Sequence, residues 1–273
     1  MEKIIDVSKW QQKIEFEKVK KAGFTGVMIR AGFGNKNGYL YPDECFERFY
    51  ADAVSAGMHV GAYFYTSGLF HQAGRGAKEA AYFLGLIKGK KFDLPIACDI
   101  ELSPDGYRTA TSKNAIDFCK YLENAGYYVM IYASDISGFK SRLDINMLNA
   151  YDKWVARYNK TGPEYVKDWG IWQYGGSTNY LAHVHVDGVY STACDQNYMR
   201  RDYPDIIKRV GLNGYQKQAS AAKLYSFTAD NISAGDKEKF VALANINDFF
   251  HIYHPLLALP FRIHQKEGQL NQG

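Results

Sequence analysis

Four cysteines are all that this chain of 273 residues holds. Cys45, Cys98, Cys119 and Cys194 are scattered, with no CxxC pair and no ligand-like spacing, which argues against a disulfide framework or a thiolate zinc site and for reduced, buried thiols. No run of 18 apolar residues is present, so no membrane-spanning helix is expected. The opening "MEKIIDVSKW" has only two consecutive apolar residues before Asp6, too short a run for a secretory signal, and reads as a chain made without an export address. Basic clusters are missing too. Lys and Arg total 33 against 29 Asp and Glu, and the densest basic run, "KGKK" at 88–91, is a solvated loop rather than a phosphate-tracking patch, so no nucleic acid is expected. "DVSKWQ" carries no glycine through which a backbone could approach a pyrophosphate, which excludes a dinucleotide loop after the first strand.

What the chain does have is apolar surface, 47% hydrophobic residues with 22 tyrosines, enough for one large core and an appendage. Short runs rich in β-branched and aromatic residues recur at 3–10, 25–32, 60–66, 94–101 and 127–134. Helical patterns lie between them at about 14–22, 43–56, 72–88 and 112–125, each followed by a glycine at the stop position: Gly23, Gly57, Gly89 and Gly126. Alternation at this period implies right-handed βαβ units and a parallel sheet. Beyond residue 134 the strand candidates 153–158, 170–176 and 192–199 are too close together for full crossover helices. Five βα units and three further strands make eight, so the expected fold is an α/β, incomplete TIM-type barrel, with a small C-terminal α+β appendage.

Chemistry in such barrels gathers at the carboxyl ends of the strands. "LPIACDIELSP" runs an apolar strand into Asp99 and Glu101, two residues apart and therefore on one face. Asp6 ends the first strand and Asp195 the eighth, and closure makes those strands neighbours. Four carboxylates around one mouth repel one another, which is costly without a task. Paired acids held at different pKa values are the equipment of glycoside hydrolysis. "ACDIE" and "ACDQN" share a pattern that sends Cys98 and Cys194 outward and their neighbouring aspartates to the mouth.

Eight motifs in unbroken order, "DVSKWQ", "AGFG", "GAYFYT", "DIE", "IYAS", "WVARY", "IWQYG" and "CDQNY", resemble family 25 of the glycoside hydrolases, the Chalaropsis-type lysozymes common as phage endolysins and bacterial muramidases. The resemblance covers about residues 1–212. It implies cleavage of the β-1,4 bond between N-acetylmuramic acid and N-acetylglucosamine in peptidoglycan, acting at the cell wall after release through a lysis pore or non-classical export. It further implies Glu101 as general acid, Asp99 as the first acid of the pair, and Asp6 and Asp195 lining the substrate site. Tyr63, Tyr65 and Trp172 would be sugar platforms. One departure is Phe64, where many members carry histidine. Asp99 either orients the substrate's acetamido group or attacks the sugar directly, and the strand spacing does not choose.

Two other readings stand beside this one. A chitinase-like N-acetylglucosaminidase would carry DxxDxDxE, but Leu94 and Ala97 occupy its first two acidic positions. A non-catalytic sugar-binding barrel is poorly served by four mutually repelling acids. "HVHVD", with His183, His185 and Asp187, is read as a surface segment rather than a metal site, and no metal or other cofactor is expected. Residues 213–223 read as a small, polar linker. Residues 224–273 read as a strand–helix–strand module that packs on the barrel, pairs with another copy or binds cell wall.

Overall fold

The computed structural model describes residues 1–176 and 185–217. Among these residues nine strands form one sheet: β1 (Glu2–Val7), β2 (Gly26–Gly34), β3 (Leu40–Pro42), β4 (His59–Tyr65), β5 (Ile96–Asp99), β6 (Val129–Ser134), β7 (Asp152–Ala156), β8 (Ile171–Gly175) and β9 (Asp195–Met199). Eight close a ring in the order β1, β9, β8, β7, β6, β5, β4, β2, with β2 pairing back onto β1. The short β3 lies outside the ring as an antiparallel partner of β2, a hairpin that the sequence reading did not anticipate.

The parallel sheet expected for the first five βα units is present, and within the ring it continues through β7 and β8. β9 runs antiparallel to both β8 and β1. Asp195 therefore begins its strand rather than ending it, and the reversal is what brings it to the mouth, opposite Asp6.

Four helices fall where the patterns placed them: α1 (Phe16–Lys21), α2 (Phe46–Ser55), α3 (Arg75–Ile87) and α4 (Arg108–Asn124). The expected stop glycines Gly23, Gly57, Gly89 and Gly126 all take positive φ, the left-handed conformation that ends a helix. Each helix buries one stripe, as α2 does with Phe46, Phe49 and Ala53, three to four residues apart on one face. These stripes meet the outward residues of the strands, among them Ile29, Ile96, Cys98, Ile131 and Val155, in an outer core that includes all four cysteines, each a free thiol. At roughly 1.5–3 kcal/mol for each fully buried large side chain, this layer supplies most of the barrel's apolar stabilisation.

Strand alternation turns the remaining residues inward. Ile4, Met28, Ala97, Met130, Trp154, Ile171 and Met199 fill the barrel interior. A fifth helix, α5 (Tyr203–Val210), adds Tyr203 and Ile207 to that inner cluster. Its Tyr203 hydroxyl and that of Tyr128 both donate to Asp152 Oδ2, at 3.0 and 2.6 Å.

The segment expected to begin a linker at 213 is instead part of the barrel unit through 217. Asn213 is fully buried. Its side chain accepts from Tyr128 N–H at 2.7 Å and donates to the Leu94 carbonyl at 2.9 Å, while its backbone bonds Phe92 and Gly126. A small polar residue reads as linker in sequence, yet here it satisfies backbone groups at the ends of two strands.

The chain divides into units Met1–Gln218 and Ala219–Gly273. The module expected over 224–273, and His183 of the histidine pair, lie outside the described residues. No helix among the described residues is long and apolar enough to cross a membrane.

Candidate active site

A cavity of about 160 Å³ opens at the carboxyl ends of the parallel strands, lined by Asp6, Arg30, Tyr63, Tyr65, Asp99, Glu101, Asp195 and several neutral polar and aromatic side chains. All four carboxylates expected at the mouth line it. β5 ends at Asp99, and Glu101 stands just beyond it, on the same side because Cys98 and Ile100 face the outer core.

Asp6 is held by two amides. Asn197 Nδ2 donates to its Oδ2 at 2.8 Å and Gln173 Nε2 donates to the same oxygen at 3.0 Å. Neither amide is free to flip. Trp154 Nε1 donates to Asn197 Oδ1 at 2.7 Å and Tyr132 donates to Gln173 Oε1 at 2.9 Å, which turns both NH₂ groups toward the acid. Burial raises Asp6 to about 6 against the pull of these donors. Asp195 is raised well above the usual carboxylate range, by burial first and by the charge of Asp6 second, and its carboxyl hydrogen-bonds Asp6. The Tyr158 hydroxyl lies 3.3 Å from Asp195 Oδ1 and 3.1 Å from Gln173 Oε1.

Backbone shape makes room for this pair. Gly176 has φ +134°, and a Cβ there would meet Asp195 Oδ1 at 2.0 Å. Only glycine takes that conformation without strain.

Asp99 is 4% exposed, and its Oδ1 has no hydrogen-bond partner. Burial, then the charges of Glu101 and Asp6, push its pKa well up, while Arg30 opposes the shift. Arg30 is itself pinned by a 2.8 Å bond from Nε to Asp43 Oδ2. Glu101 remains solvent-accessible at the edge of the concavity. The protein around it raises its pKa, against the Tyr132 hydroxyl and the Arg142 guanidinium. Two interacting carboxyls in this setting retain a proton where free ones would lose it.

Of the expected aromatic platforms, Tyr63 and Tyr65 line the cavity and Trp172 does not. The alternation of β8 points Ile171 and Gln173 inward, so Trp172 is 8% exposed on the outer face. There it packs against Trp169, Tyr174 and Tyr198 and donates to the Arg157 carbonyl at 2.7 Å. The aromatic at the mouth that the sequence reading passed over is Trp10, 69% exposed. A capping box between Ser8 and Gln11 holds the short 3₁₀ turn that presents it. Arg30, Tyr132, Trp154, Gln173 and Asn197 were missed as well, because inward polar residues in apolar strands look like core until their partners are known.

A second cavity, of about 230 Å³, shares Glu101 and Tyr132 with the first and continues along Ile100, Ser134, Ser137 and Arg142. Glu101 thus stands between two halves of one groove. Among the described residues no group of three His, Cys, Asp or Glu side chains is placed to hold a metal ion.

Comparison with known proteins places this geometry. The family model for the glycosyl hydrolases family 25 matches residues 5–182. The chain is 29% identical over 180 residues to the autolytic lysozyme of Clostridium acetobutylicum, covering 65% of this chain and 52% of that protein. It is 30% identical over 187 residues to lysozyme M1 of Streptomyces globisporus, covering 63% of this chain and 61% of that one. The chain therefore spans between about half and three fifths of the length of these curated relatives. Its fold matches the crystal structure of the CTP1L endolysin with a TM-score of 0.64 at 22% identity, over 76% of this chain and 70% of that one.

Proposed function

The chain belongs to the glycosyl hydrolases family 25, and from that premise we propose that it is a muramidase, hydrolysing the β-1,4 bond from N-acetylmuramic acid to N-acetylglucosamine in peptidoglycan. Two of its relatives are named lysozymes. The observation that carries the reading in this chain is the pair of Asp99 and Glu101. One carboxyl is buried with an unsatisfied oxygen, and the other is accessible with a raised pKa.

In this reading Glu101 is the general acid. Its position at the junction of the two cavities gives it access to a glycosidic oxygen lying across the groove. Asp99 lies deeper, and its orphaned Oδ1 carries a desolvation cost that a substrate donor removes. An acetamido N–H is such a donor, and accepting its hydrogen bond favours ionised Asp99. The proton retained by the pair then resides on Glu101, where the leaving oxygen takes it. The same bond holds the acetamido carbonyl toward the anomeric carbon. Asp6, already engaged by two amides and Asp195, supplies negative potential under the developing sugar cation rather than a proton.

The reading is tested by digesting purified peptidoglycan with the protein, reducing the new ends, and identifying the sugar alcohol by mass spectrometry. Muramitol supports a muramidase. Glucosaminitol would move the cut to the other glycosidic bond, and no new ends would leave a sugar-binding barrel.

A further inference from the structure

Arg142 is the last residue of a π-helix, Asp135–Arg142, that leaves the end of β6, and such helices recur at functional sites. It lines the second cavity together with Ser134, Ser137, Tyr132 and Glu101. Among the described residues its side chain makes no hydrogen bond and no close ion pair, although its Nε is buried; its charge acts on Glu101 from across the cavity. Other arginines of the barrel unit are engaged: Arg30 with Asp43, Arg75 with Glu79, Arg157 with Glu164 and Arg201 with Asp152. A buried guanidinium N–H without an acceptor is costly. Arg142 also lines the cavity, so the accessible part of its guanidinium is open to an acceptor that arrives from outside.

The serines fit the same acceptor. Ser134 Oγ accepts the Gly138 N–H at 2.9 Å and is hydrogen-bonded to Ser137 Oγ. With Ser134 donating to Ser137, the Ser137 proton is free to point into the cavity. A planar cation beside a hydroxyl donor matches a carboxylate, which takes two parallel bonds from a guanidinium. The acidic neighbour, Glu101, carries the proton in the reacting state and so does not repel such a group.

We propose that this second cavity is a carboxylate subsite, in which Arg142 and Ser137 grip an acidic group that the glycan carries beside the bond broken at Glu101. The proposal rests on the muramidase reading. Peptidoglycan offers that chemistry from two sources, the lactyl carboxylate of a muramoyl residue without its peptide, and the free carboxylates of a stem peptide. A glycan of N-acetylglucosamine alone offers neither, so the subsite sets specificity.

The test compares the full-length wild type with Arg142→Gln and Arg142→Lys on three soluble glycans. They are strands with intact stem peptides, strands stripped of peptides, and stripped strands whose lactyl carboxylates have been methyl-esterified. Arg142→Gln is expected to raise KM by about tenfold on a carboxylate-bearing strand, with the loss in KM rather than kcat, and by less than about twofold on the esterified one. Arg142→Lys, which keeps the charge, should recover part of the loss. A loss confined to stripped strands assigns the lactyl group, and one confined to intact strands assigns the peptide. An equal loss on all three, or a loss in kcat alone, overturns the subsite. If the wild type opens none of the strands, the muramidase reading falls instead. Calorimetric binding of the same strands to wild type and Arg142→Gln then decides the subsite by the same ratio.

Discussion

Asp6 and Asp195 face each other across the seam where the reversed last strand closes onto the first, and their carboxyls share a hydrogen bond. The fold thus places two acids where one proton serves both. Their partners fix the arrangement: Trp154 and Tyr132 orient the amides of Asn197 and Gln173 toward Asp6.

That pair gives the protein a pH-dependent stability. Asp6 is raised to about 6, from about 3.9 in an unfolded chain. Between those values the folded state binds more protons than the unfolded state, so stability falls as pH rises through the window. Asp195→Asn keeps an N–H to donate to Asp6 and removes the second titrating group. At pH 7.5 its Tm should exceed that of the wild type, with the gap narrowing as pH falls toward the ordinary carboxylate range. Calorimetric melts at both pH values check this, and a wild type more stable than the variant at pH 7.5 contradicts it.

Gly176 keeps Asp195 in place through its backbone. Ala at 176 would bring a Cβ to 2.0 Å from Asp195 Oδ1, at φ +134°, and the acid or the strand end must move. Gly176→Ala should lose about 10- to 100-fold in kcat, since displacements near 1 Å have that effect on positioned groups. Peptidoglycan turnover within twofold of wild type would show that the pair tolerates displacement.

At the opposite end of the barrel, Asn213 acts on stability alone. Asn213→Ala removes the acceptor for Tyr128 N–H and the donor to the Leu94 carbonyl, leaving both backbone groups buried. The expected cost is on the order of 2–4 kcal/mol, with kcat unchanged below the melting transition. Urea unfolding and initial rates on the same preparation measure the two effects separately.

The tryptophans divide by face. Trp10→Ala strips an exposed aromatic from the mouth and should raise KM several-fold with little change in Tm, because ring stacking on sugars is worth about 1 kcal/mol. Trp172→Ala empties a packed outer site and should cost roughly 3–5 kcal/mol. Reversed effects, with KM moved by Trp172→Ala and Tm by Trp10→Ala, would place the sugar on the wrong face.

Much of the barrel was legible because it rests on local signals. Glycine stops after each helix and β-branched runs between them report backbone conformation within a few residues. Asp99 and Glu101 were legible for a related reason, since alternation beyond an apolar strand fixes their common side. Contacts distant in sequence were not. Arg30, Asn197 and Gln173 acquire roles only through Asp43, Trp154, Tyr132 and Asp6, brought together by closure of the ring. Trp172 was misplaced because "IWQYG" alternates without indicating which phase faces inward; the ring settles it, with Ile171 and Gln173 inside. Asn213 looked like linker because its work is to satisfy backbone groups, which leave no trace in composition.

The central claim is that Glu101 donates the proton that breaks a glycosidic bond. It is tested most directly by the pH dependence of kcat/KM for peptidoglycan cleavage, measured for wild type and Glu101→Gln. Wild-type activity should fall on a basic limb above the ordinary glutamate range, because the surrounding protein desolvates Glu101, though it stays accessible at the groove, and raises its pKa, and the acid must be protonated to act. The variant should lose about 10²–10⁴-fold and lack that limb. A Glu101→Gln protein that cleaves within tenfold of wild type, with the same basic limb, would contradict the account.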